Sequence, residues 1–498
     1  MKKDSNDIVI PVHNIPQTFE KDIHGDFNPF NAWYGKLFQA TISWINQSKK
    51  EKKARCRVWR ISPVGVEICS DSEVLKLDMG QTVKLDINLA GNWLKFNGII
   101  KKTEYIENGY NLVGICMEKI KDNTDKSDKN KSWSFSKEFS PTGWAPCPVK
   151  NSHIFFSVRQ INKKGMLISV SSHNKYMIPG IVLKCHINLV MFGEVNTFLK
   201  IEKVSIKEEN DEKLLLIYGV FIKPCKNFHS KFSEYILKYG SIKSCVKELN
   251  KEGFPIVSLK KSIYFKFAEN KKDYEKVLQL RKLAYAKKIQ DPSLISDSLD
   301  ERSIIVMAVY KDQLIATLRL IFNDGTQVME NEKSVKLPDY FPPKNQILEV
   351  GRVCTHPDFR GSDLLTEMFR FTALTLAESD RKYIVTGSMK NLLPLYKKLG
   401  FKTTGIYYRY KELNNLEHQV LFLDVYKVGT AKTLNPIRWL YWNVVWEELY
   451  DYVVIQKKLI KFTKIDKLRI KLIKLLKPVS FLIYSYYIKK NLLKQKHK

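Results

Sequence analysis

Residues 346–361 run Gln346-Ile-Leu-Glu-Val-Gly-Arg-Val-Cys-Thr355 and then His356-Pro-Asp-Phe-Arg-Gly361. The first part sets isolated polar residues among apolar ones, a pattern typical of a half-buried strand. After the Arg-Gly turn, apolar residues recur at helical spacing: Leu364, Leu365, Met368, Phe369, Thr372 and Leu376. A helix that begins just after a strand presents its first N–H groups as an anion site. This stretch therefore predicts an α/β unit with an anion site at the strand-to-helix turn.

A second motif follows the predicted helix, Asn391-Leu-Leu-Pro-Leu-Tyr396-Lys-Lys-Leu-Gly400-Phe401. Together the two motifs resemble the acyl-transfer core of the GNAT superfamily, and the resemblance covers about residues 262–428. It implies that Arg360, Gly361 and Ser362 hold the phosphates of an acyl donor. The family turn is roughly Arg-x-x-Gly-x-Gly/Ala, and this chain departs from it at Asp363 and Leu365. A carboxylate in the first helical turn would repel a phosphate.

The departure is similar to a particular branch of the superfamily, the acyl-homoserine-lactone synthases and N-acyl amino acid synthases. Leu348-Glu-Val-Gly-Arg352, Arg360 and Ala316-Thr-Leu-Arg319-Leu carry this likeness. Members of the branch often take acyl groups from acyl carrier protein, which is strongly acidic. This chain has a net charge of +31, so long-range attraction would favour that donor. The donor stays open between acyl-CoA and acyl carrier protein, and no permanently bound cofactor or metal is predicted.

Acyl transfer to an amine needs a proton acceptor for the amine and a proton donor for the leaving thiolate. Glu349 is the candidate general base, directly or through water, and Tyr396 is the candidate acid by family resemblance. Arg319 and Arg352 are candidate forks for a substrate carboxylate or a phosphopantetheine phosphate. Strict alternation would put Glu349 and Arg352 on opposite faces of the strand, so a bulge near Gly351 is needed to bring them together.

Each candidate has a structural alternative. Glu349 and Arg352 could be solvated or paired with neighbours, and Tyr396 could be a core aromatic packed on Phe401. Cys354 is better interpreted as a buried strand thiol than as a nucleophile, because the sequence places no histidine beside it.

The first half of the chain contains an internal repeat with an offset of 100 residues. Val58-Trp-Arg-Ile61-Ser-Pro-Val-Gly65 aligns with Val158-Arg-Gln-Ile161-Asn-Lys-Lys-Gly165, and the match continues through the residues that follow. Alternating strands broken by Gly and Asn predict that each copy is a small antiparallel barrel.

The repeats resemble PilZ domains, which grip cyclic di-GMP with an Arg-x-x-x-Arg loop and an Asp/Asn-x-Ser-x-x-Gly motif. Arg60-Ile-Ser62-Pro-Val-Gly65 keeps the Ser and Gly of that motif, and the arginine pair is missing from both copies. By resemblance, Arg60, Ser62 and Gly65 are the candidate cyclic di-GMP residues. The alternative is that the glycines serve tight turns in barrels without a ligand.

The predicted fold class is multidomain: two antiparallel β-barrels, an α/β domain with a mixed sheet and flanking helices, and a basic helical tail. Its boundaries are an N-terminal extension (1–28), barrel 1 (29–120), a linker (121–147), barrel 2 (148–226), a helical linker (227–261), the transferase domain (262–430) and the tail (431–498).

Residues 457–498 contain fourteen basic residues and one acidic residue. Lysines and leucines follow separate helical stripes, which predicts a basic amphipathic helix suited to an anionic membrane surface, although such a run is often only a solvated face. The upstream aromatic stripe of Trp439, Trp442 and Trp446 is either an interfacial anchor or core. Nucleic acid is disfavoured because no recognised binding motif is present.

Eight cysteines without close pairing and a polar N-terminus predict a cytoplasmic protein, peripheral on the inner face of the membrane. The function predicted is N-acyl transfer, with possible control by the barrels. The alternative is a non-catalytic signalling scaffold, responsive to cyclic di-GMP or to a partner, with a degenerate GNAT fold.

Overall fold

The computed structural model describes residues 23–25, 27–31, 38–46, 48–71, 77–89, 91–106, 110–117, 131–209, 211–225, 227–285, 295–379, 381–410, 415–452 and 462–496. Two compact units divide the chain, the first holding both barrels and the second running from Lys243 to the C-terminus apart from a few residues near 236–242. Most of the predicted N-terminal extension and residues 118–130 of the predicted linker lie outside the described residues.

The first barrel is a closed antiparallel sheet. Its strands are β1 (Phe30–Asn31), β2 (Gln39–Ile45), β3 (Glu51–Ile61), β4 (Gly65–Asp71), β5 (Thr82–Leu89), β6 (Asn92–Ile106) and β7 (Tyr110–Met117). Neighbouring strands follow the order β3-β2-β5-β6-β7-β4, and pairing of β3 with β4 closes the ring. Buried and less buried residues alternate along β2 and β5, which is the period of a strand with one face in the core.

The second barrel repeats this topology. Its strands are β8 (Trp133–Ser134), β9 (Thr142–Pro146), β10 (His153–Ile161), β11 (Gly165–Ser171), β12 (Val182–Leu189), β13 (Gly193–Glu209) and β14 (Glu212–Phe221). Six of them close in the order β10-β9-β12-β13-β14-β11. The offset of 100 residues is confirmed in the strand starts at Gly65 and Gly165, and in matching register shifts after Val58 and Val158.

The predicted linker extended too far. Strands β8 and β9 lie within the segment 121–147, and β9 pairs with both β10 and β12. Without β9 the second barrel would stay open, so barrel 2 begins no later than Trp133. The charged composition of residues 121–132 concealed how soon the next strand starts.

Two helices follow the barrels, α1 (Phe228–Tyr239) and α2 (Val246–Lys251). Phe228 and Phe232 of α1 are fully buried, and Tyr235 donates a hydrogen bond to the Phe139 carbonyl at 2.9 Å. The predicted helical linker is therefore packed along its apolar stripe, as its helical spacing indicated.

The second unit is built on a seven-stranded mixed sheet of order β15-β16-β17-β18-β19-β21-β20. The strands are β15 (Tyr264–Phe267), β16 (Ile304–Tyr310), β17 (Gln313–Phe322), β18 (Ile347–Thr355), β19 (Tyr383–Met389), β20 (Lys402–Tyr410) and β21 (Leu416–Asp424). Only β18 and β19 are paired in parallel, and they need a crossover helix because a parallel pair cannot be joined by a hairpin. The fold class predicted from sequence is confirmed.

Eight helices accompany this sheet: α3 (Lys271–Tyr285), α4 (Leu364–Glu378), α5 (Leu393–Lys398), α6 (Val425–Gly429), α7 (Pro436–Val445), α8 (Glu447–Tyr450), α9 (Lys464–Leu475) and α10 (Lys477–Lys496). Helix α4 is the crossover between β18 and β19. Its buried residues include Leu364, Met368, Phe369, Thr372 and Leu376, the stripe that the spacing predicted.

The aromatic stripe after residue 431 is core. Trp442 and Trp446 are at most 1% exposed, and their indole N–H groups donate to the carbonyls of Gly429 and Leu399. A buried indole needs such a partner, and an interfacial anchor would instead be exposed. Residues from 431 onward therefore do not form a separate tail. No helix among the described residues combines the length and apolar character that a membrane span requires.

Candidate active site: a cleft between diverging parallel strands

The site begins where β18 and β19 stop pairing. They are in register from Ile347 opposite Tyr383 to Val350 opposite Thr386, and a bulge in β18 follows at once. Arg352 has φ = 50°, a left-handed conformation that side chains other than Gly rarely adopt. The predicted bulge is confirmed, one residue beyond Gly351. It bends β18 away from β19 and opens a cleft at the carboxyl ends of the parallel strands, where α/β proteins commonly bind ligands.

A large cavity of about 1210 Å³ occupies one side of this cleft. Its lining is mostly apolar and includes the turn before α4, the end of α3, α5, and residues of α7 and α10. Phe359, Leu364, Leu395 and Tyr441 are representative. A cavity of this character suits a long apolar ligand.

A small cavity of about 100 Å³ lies on the other side and is more polar. Glu330, Asn331, Arg352, Tyr410 and His418 are among its lining residues. Five residues border both cavities: Tyr285, Val353, Met389, Leu392 and Tyr396. A group in the small cavity and the end of a chain in the large one would therefore meet across this shared wall.

Glu349 does not face either cavity. Its carboxylate, 1% exposed, accepts hydrogen bonds from the backbone N–H groups of Glu330 and Asn331 at 2.6 and 2.8 Å, and from the Asn331 side chain at 2.6 Å. Burial, with help from the nearby charge of Glu330, raises the pKa of Glu349 to about 7. The structure thus corrects the role predicted for Glu349, because it holds the turn at 330–331 and has no direct path to a substrate amine.

Glu330 is the carboxylate that the turn presents to the small cavity. It accepts a hydrogen bond from the Tyr410 hydroxyl at 2.7 Å, and the side chain is 8% exposed. A Cβ at Gly351 would lie 2.0 Å from its Oε2, so only glycine leaves room for this carboxylate. The sequence analysis missed Glu330 because a single acidic residue in an irregular loop carries no recognisable pattern.

Arg319 is not available to a substrate. Its guanidinium is fully buried and paired with Asp297, with Asp300 at 3.0 Å and with Glu330 at 2.9 Å. Although burial opposes the charge, these carboxylates raise the pKa of Arg319 above its usual range. The prediction that Arg319 binds substrate is therefore wrong in its physics: alternation on β17 points the side chain into the core, where it joins three acidic residues.

Arg352 lies closer to the cavity. One Nη donates to Asp297 at 3.0 Å, and the guanidinium lies 5.9 Å from the centroid of the Tyr410 ring. Burial raises the pKa of Asp297, but Arg319 and Arg352 together outweigh it and lower that pKa to about 2. Because Arg352 lines the small cavity and Arg319 does not, only the first of the two predicted forks can reach a ligand.

Tyr396 occupies the shared wall. Its ring makes edge contacts with Phe369 and Phe401 at centroid distances of 5.2 and 5.3 Å, so the predicted packing on Phe401 is present as well. Burial raises the pKa of the Tyr396 phenol above its usual range, although a hydrogen bond with Thr386 opposes the shift. A phenol with a raised pKa stays protonated at neutral pH and can serve as a proton donor.

The predicted phosphate turn lines the large cavity, and much of its polar capacity is already used. Ser362 donates to the Phe359 carbonyl at 2.8 Å and accepts from Leu364 N–H at 3.3 Å. Asp363, 4% exposed, accepts from the backbone N–H of Leu259 at 2.8 Å, and burial raises the pKa of its carboxyl. Arg360 is exposed at the rim and donates to the Ala284 carbonyl at 3.3 Å.

Cys354 is 5% exposed, and burial raises the pKa of its thiol to about 12. A thiol in that state is a poor nucleophile, which agrees with the interpretation of Cys354 as a buried strand residue. Within the described ranges, no three His, Cys, Asp or Glu side chains are grouped so that they could hold a metal ion.

The cyclic di-GMP candidates of barrel 1 are engaged within the barrel. Ser62 is fully buried and hydrogen-bonded to the His24 ring at 2.7 Å, and Arg60 pairs with the buried Glu67 at 3.5 Å. A Cβ at Gly65 would lie 2.4 Å from the Ile23 side chain. A ligand at this motif would have to displace Ile23 and His24.

Comparisons with known proteins point to the same part of the chain. Residues 276–423 match the model of the family described as N-acyl amino acid synthase FeeM. No curated protein matches the chain.

Three solved structures represent the similarities. FeeM from uncultured soil microbes is 15% identical, with a TM-score of 0.28, over 34% of this chain and 95% of that chain. The acyl-homoserine-lactone synthase LasI is 15% identical, with a TM-score of 0.27, over 33% and 90%. Apo MrkH of K. pneumonia is 13% identical, with a TM-score of 0.20, over 44% and 90%.

Proposed function

We propose that this chain, whose residues 276–423 form a GNAT-like N-acyltransferase domain, moves a fatty acyl group from an acyl thioester to the amine of an amino acid. The observation that carries the proposal is the pair of cavities joined at Tyr396, one large and apolar and one small and polar. This arrangement suits a long donor chain and a small charged acceptor that react at a common wall.

The donor enters the large cavity. Its acyl chain lies among apolar side chains, and its phosphate is met by Arg360 at the rim, with Arg438 and Lys398 also on the cavity lining. Asp363 disfavours a pyrophosphate deep in the turn, and a single phosphopantetheine phosphate at the rim avoids that carboxylate. Together with the net charge of +31, this favours acyl carrier protein over acyl-CoA as the donor.

The acceptor binds in the small cavity, with its carboxylate toward Arg352 and its amine toward Glu330. Glu330 takes a proton from the amine while the nitrogen attacks the thioester carbon directly, without an acyl-enzyme. The carbon–sulfur bond then breaks, and Tyr396 donates its phenolic proton to the departing thiolate. Glu349 is a positioning residue that fixes the turn carrying Glu330.

The test is an assay of the purified full chain with dodecanoyl-CoA or dodecanoyl carrier protein and a mixture of the common amino acids. Thiol release is measured alongside mass spectrometry of the products. We expect an N-dodecanoyl amino acid whose formation is lost in Glu330→Gln. Thiol release without an amide product, or no release from either donor, would overturn the proposal.

The proposed location is cytoplasmic, at the anionic inner surface of the membrane. Supporting it, α9 exposes Ile465, Leu468, Leu472 and Leu475 beside the exposed Lys467 and Lys471. Apolar side chains flanked by lysines suit the interface of an anionic bilayer. The full chain should co-sediment with vesicles containing anionic lipid and not with neutral ones, and Leu468→Glu should abolish sedimentation. Equal sedimentation of this variant would contradict the role of α9.

Control by cyclic di-GMP remains a separate proposal. It requires Ile23 and His24 to leave barrel 1, so the nucleotide would have to bind tightly enough to offset those contacts. Binding to the native state raises the melting temperature. An unchanged melting temperature at millimolar cyclic di-GMP would dismiss it.

A further inference from the structure

The wall of the large cavity extends beyond the segment that resembles known synthases. The family match ends at residue 423, whereas α7 and α10 contribute residues 437–484 to the lining. The contributed side chains are Ile437, Arg438, Leu440, Tyr441, Ser480, Ile483 and Tyr484. The C-terminal helices therefore complete a cavity that the matched segment leaves open on one side.

These helices are fixed in place by polar contacts as well as by packing. Asn443 of α7 donates to the Ser480 hydroxyl of α10 at 3.0 Å and to the Ile473 carbonyl at 2.6 Å. The Tyr441 hydroxyl lies 3.2 Å from Thr366 on α4, and the rings of Tyr441 and Tyr484 are 5.8 Å apart. A wall held in this way presents a defined shape to a ligand, because its side chains have few alternative positions.

We infer that α7 and α10 determine which acyl chain lengths the enzyme accepts, with Ile483 and Tyr484 as specificity-determining residues. This rests on the proposed function, since it takes the large cavity as the acyl-chain site. The volume of about 1210 Å³ exceeds the roughly 300–1,000 Å³ of most small-molecule sites and far exceeds what an acetyl group requires. Each methylene buried there should raise kcat/KM about fourfold until the chain reaches the wall.

The two faces of α10 provide a matched control. Ile483 and Tyr484 face the cavity, whereas Phe481 and Leu482 are 46% and 63% exposed. A bulky substitution at position 483 reduces the cavity, and the same substitution at position 482 leaves it unchanged. Both variants lie on the same turn, so they share any effect on the helix itself.

The experiment measures kcat/KM of the full chain with saturated acyl donors from C2 to C16. Ile483→Trp should lower kcat/KM for C12 and longer donors by at least tenfold and leave C4 within about twofold. Leu482→Trp should leave the whole profile unchanged. Tyr484→Ala, which enlarges the cavity, should move the preferred length upward by two or more carbons.

Equal loss at every chain length in Ile483→Trp, or the same shift in Leu482→Trp, would overturn the inference. If Ile483→Trp is inactive with every donor, Tyr484→Ala decides: an unmoved preferred length refutes the role of α10. Absence of transfer by the wild type with every donor would instead refute the proposed function, so the two failures are distinguishable.

Discussion

Replacing Tyr396 by Phe removes one proton donor and little else. The Phe ring keeps the edge contacts with Phe369 and Phe401, and the hydroxyl's hydrogen bond to Thr386 contributes about 1 kcal/mol to stability. General acid catalysis typically contributes about 10²–10⁴-fold in rate, equivalent to about 3–5 kcal/mol of transition-state stabilisation. Because the loss in rate far exceeds the loss in stability, the variant should be folded and nearly inactive.

The leaving group separates this role from simple packing. An alkyl thiolate needs a proton as it departs, whereas an aryl thiolate is a weaker base and leaves without one. With an alkyl thioester we expect kcat to fall about 10²–10⁴-fold in Tyr396→Phe, and with an aryl thioester of the same acyl chain to fall less than about tenfold.

Tyr285→Phe is the matched control. Tyr285 borders both cavities, but its hydroxyl donates to the Val353 carbonyl at 3.2 Å, so its loss should leave the ratio of the two rates unchanged. Equal losses with alkyl and aryl donors in Tyr396→Phe would refute the assignment of Tyr396 as the acid.

Three further predictions follow from the contacts beneath the site. Arg319→Met should lower the melting temperature by about 6–20 °C, because it leaves buried carboxylates unpaired at a cost of about 3–5 kcal/mol; Lys402→Met, which removes an exposed charge, should not. The fold favours protonated Glu349 between its ordinary pKa of 4.5 and about 7, so wild-type stability should fall relative to Glu349→Gln by about 1.4 kcal/mol per pH unit as pH rises through that window; urea titrations showing a constant difference would contradict this. Gly351→Ala should displace Glu330 and lower kcat/KM for the amine about 100-fold with donor KM unchanged, and an unchanged rate would exclude Glu330 as the base.

Periodicity and repetition carried much of the fold. The offset of 100 residues predicted two barrels of the same topology, and the strand starts at Gly65 and Gly165 confirm it. The apolar spacing after Asp363 predicted α4, and the need to reconcile Glu349 with Arg352 predicted the bulge. These features depend on residues close together in the sequence, where spacing alone is informative.

Pairing between distant segments could not be predicted in the same way. The carboxylates that bury Arg319 come from residues 297–330, and the turn at Glu330 is fixed by Glu349 through backbone N–H groups. No local pattern distinguishes such a buried pair from a solvated one. The contribution of α10 to the cavity was likewise hidden, because its inward and outward faces are both apolar.

Mass spectrometry of lipid extracts would test the central claim most directly, in cells that express either the wild-type chain or Tyr396→Phe at matched folded levels. Isotopically labelled amino acids would identify the acceptor of any new species. The account predicts a labelled N-acyl amino acid, with a long acyl chain, that accumulates only with the wild type. The same lipid profile in both cultures would contradict it.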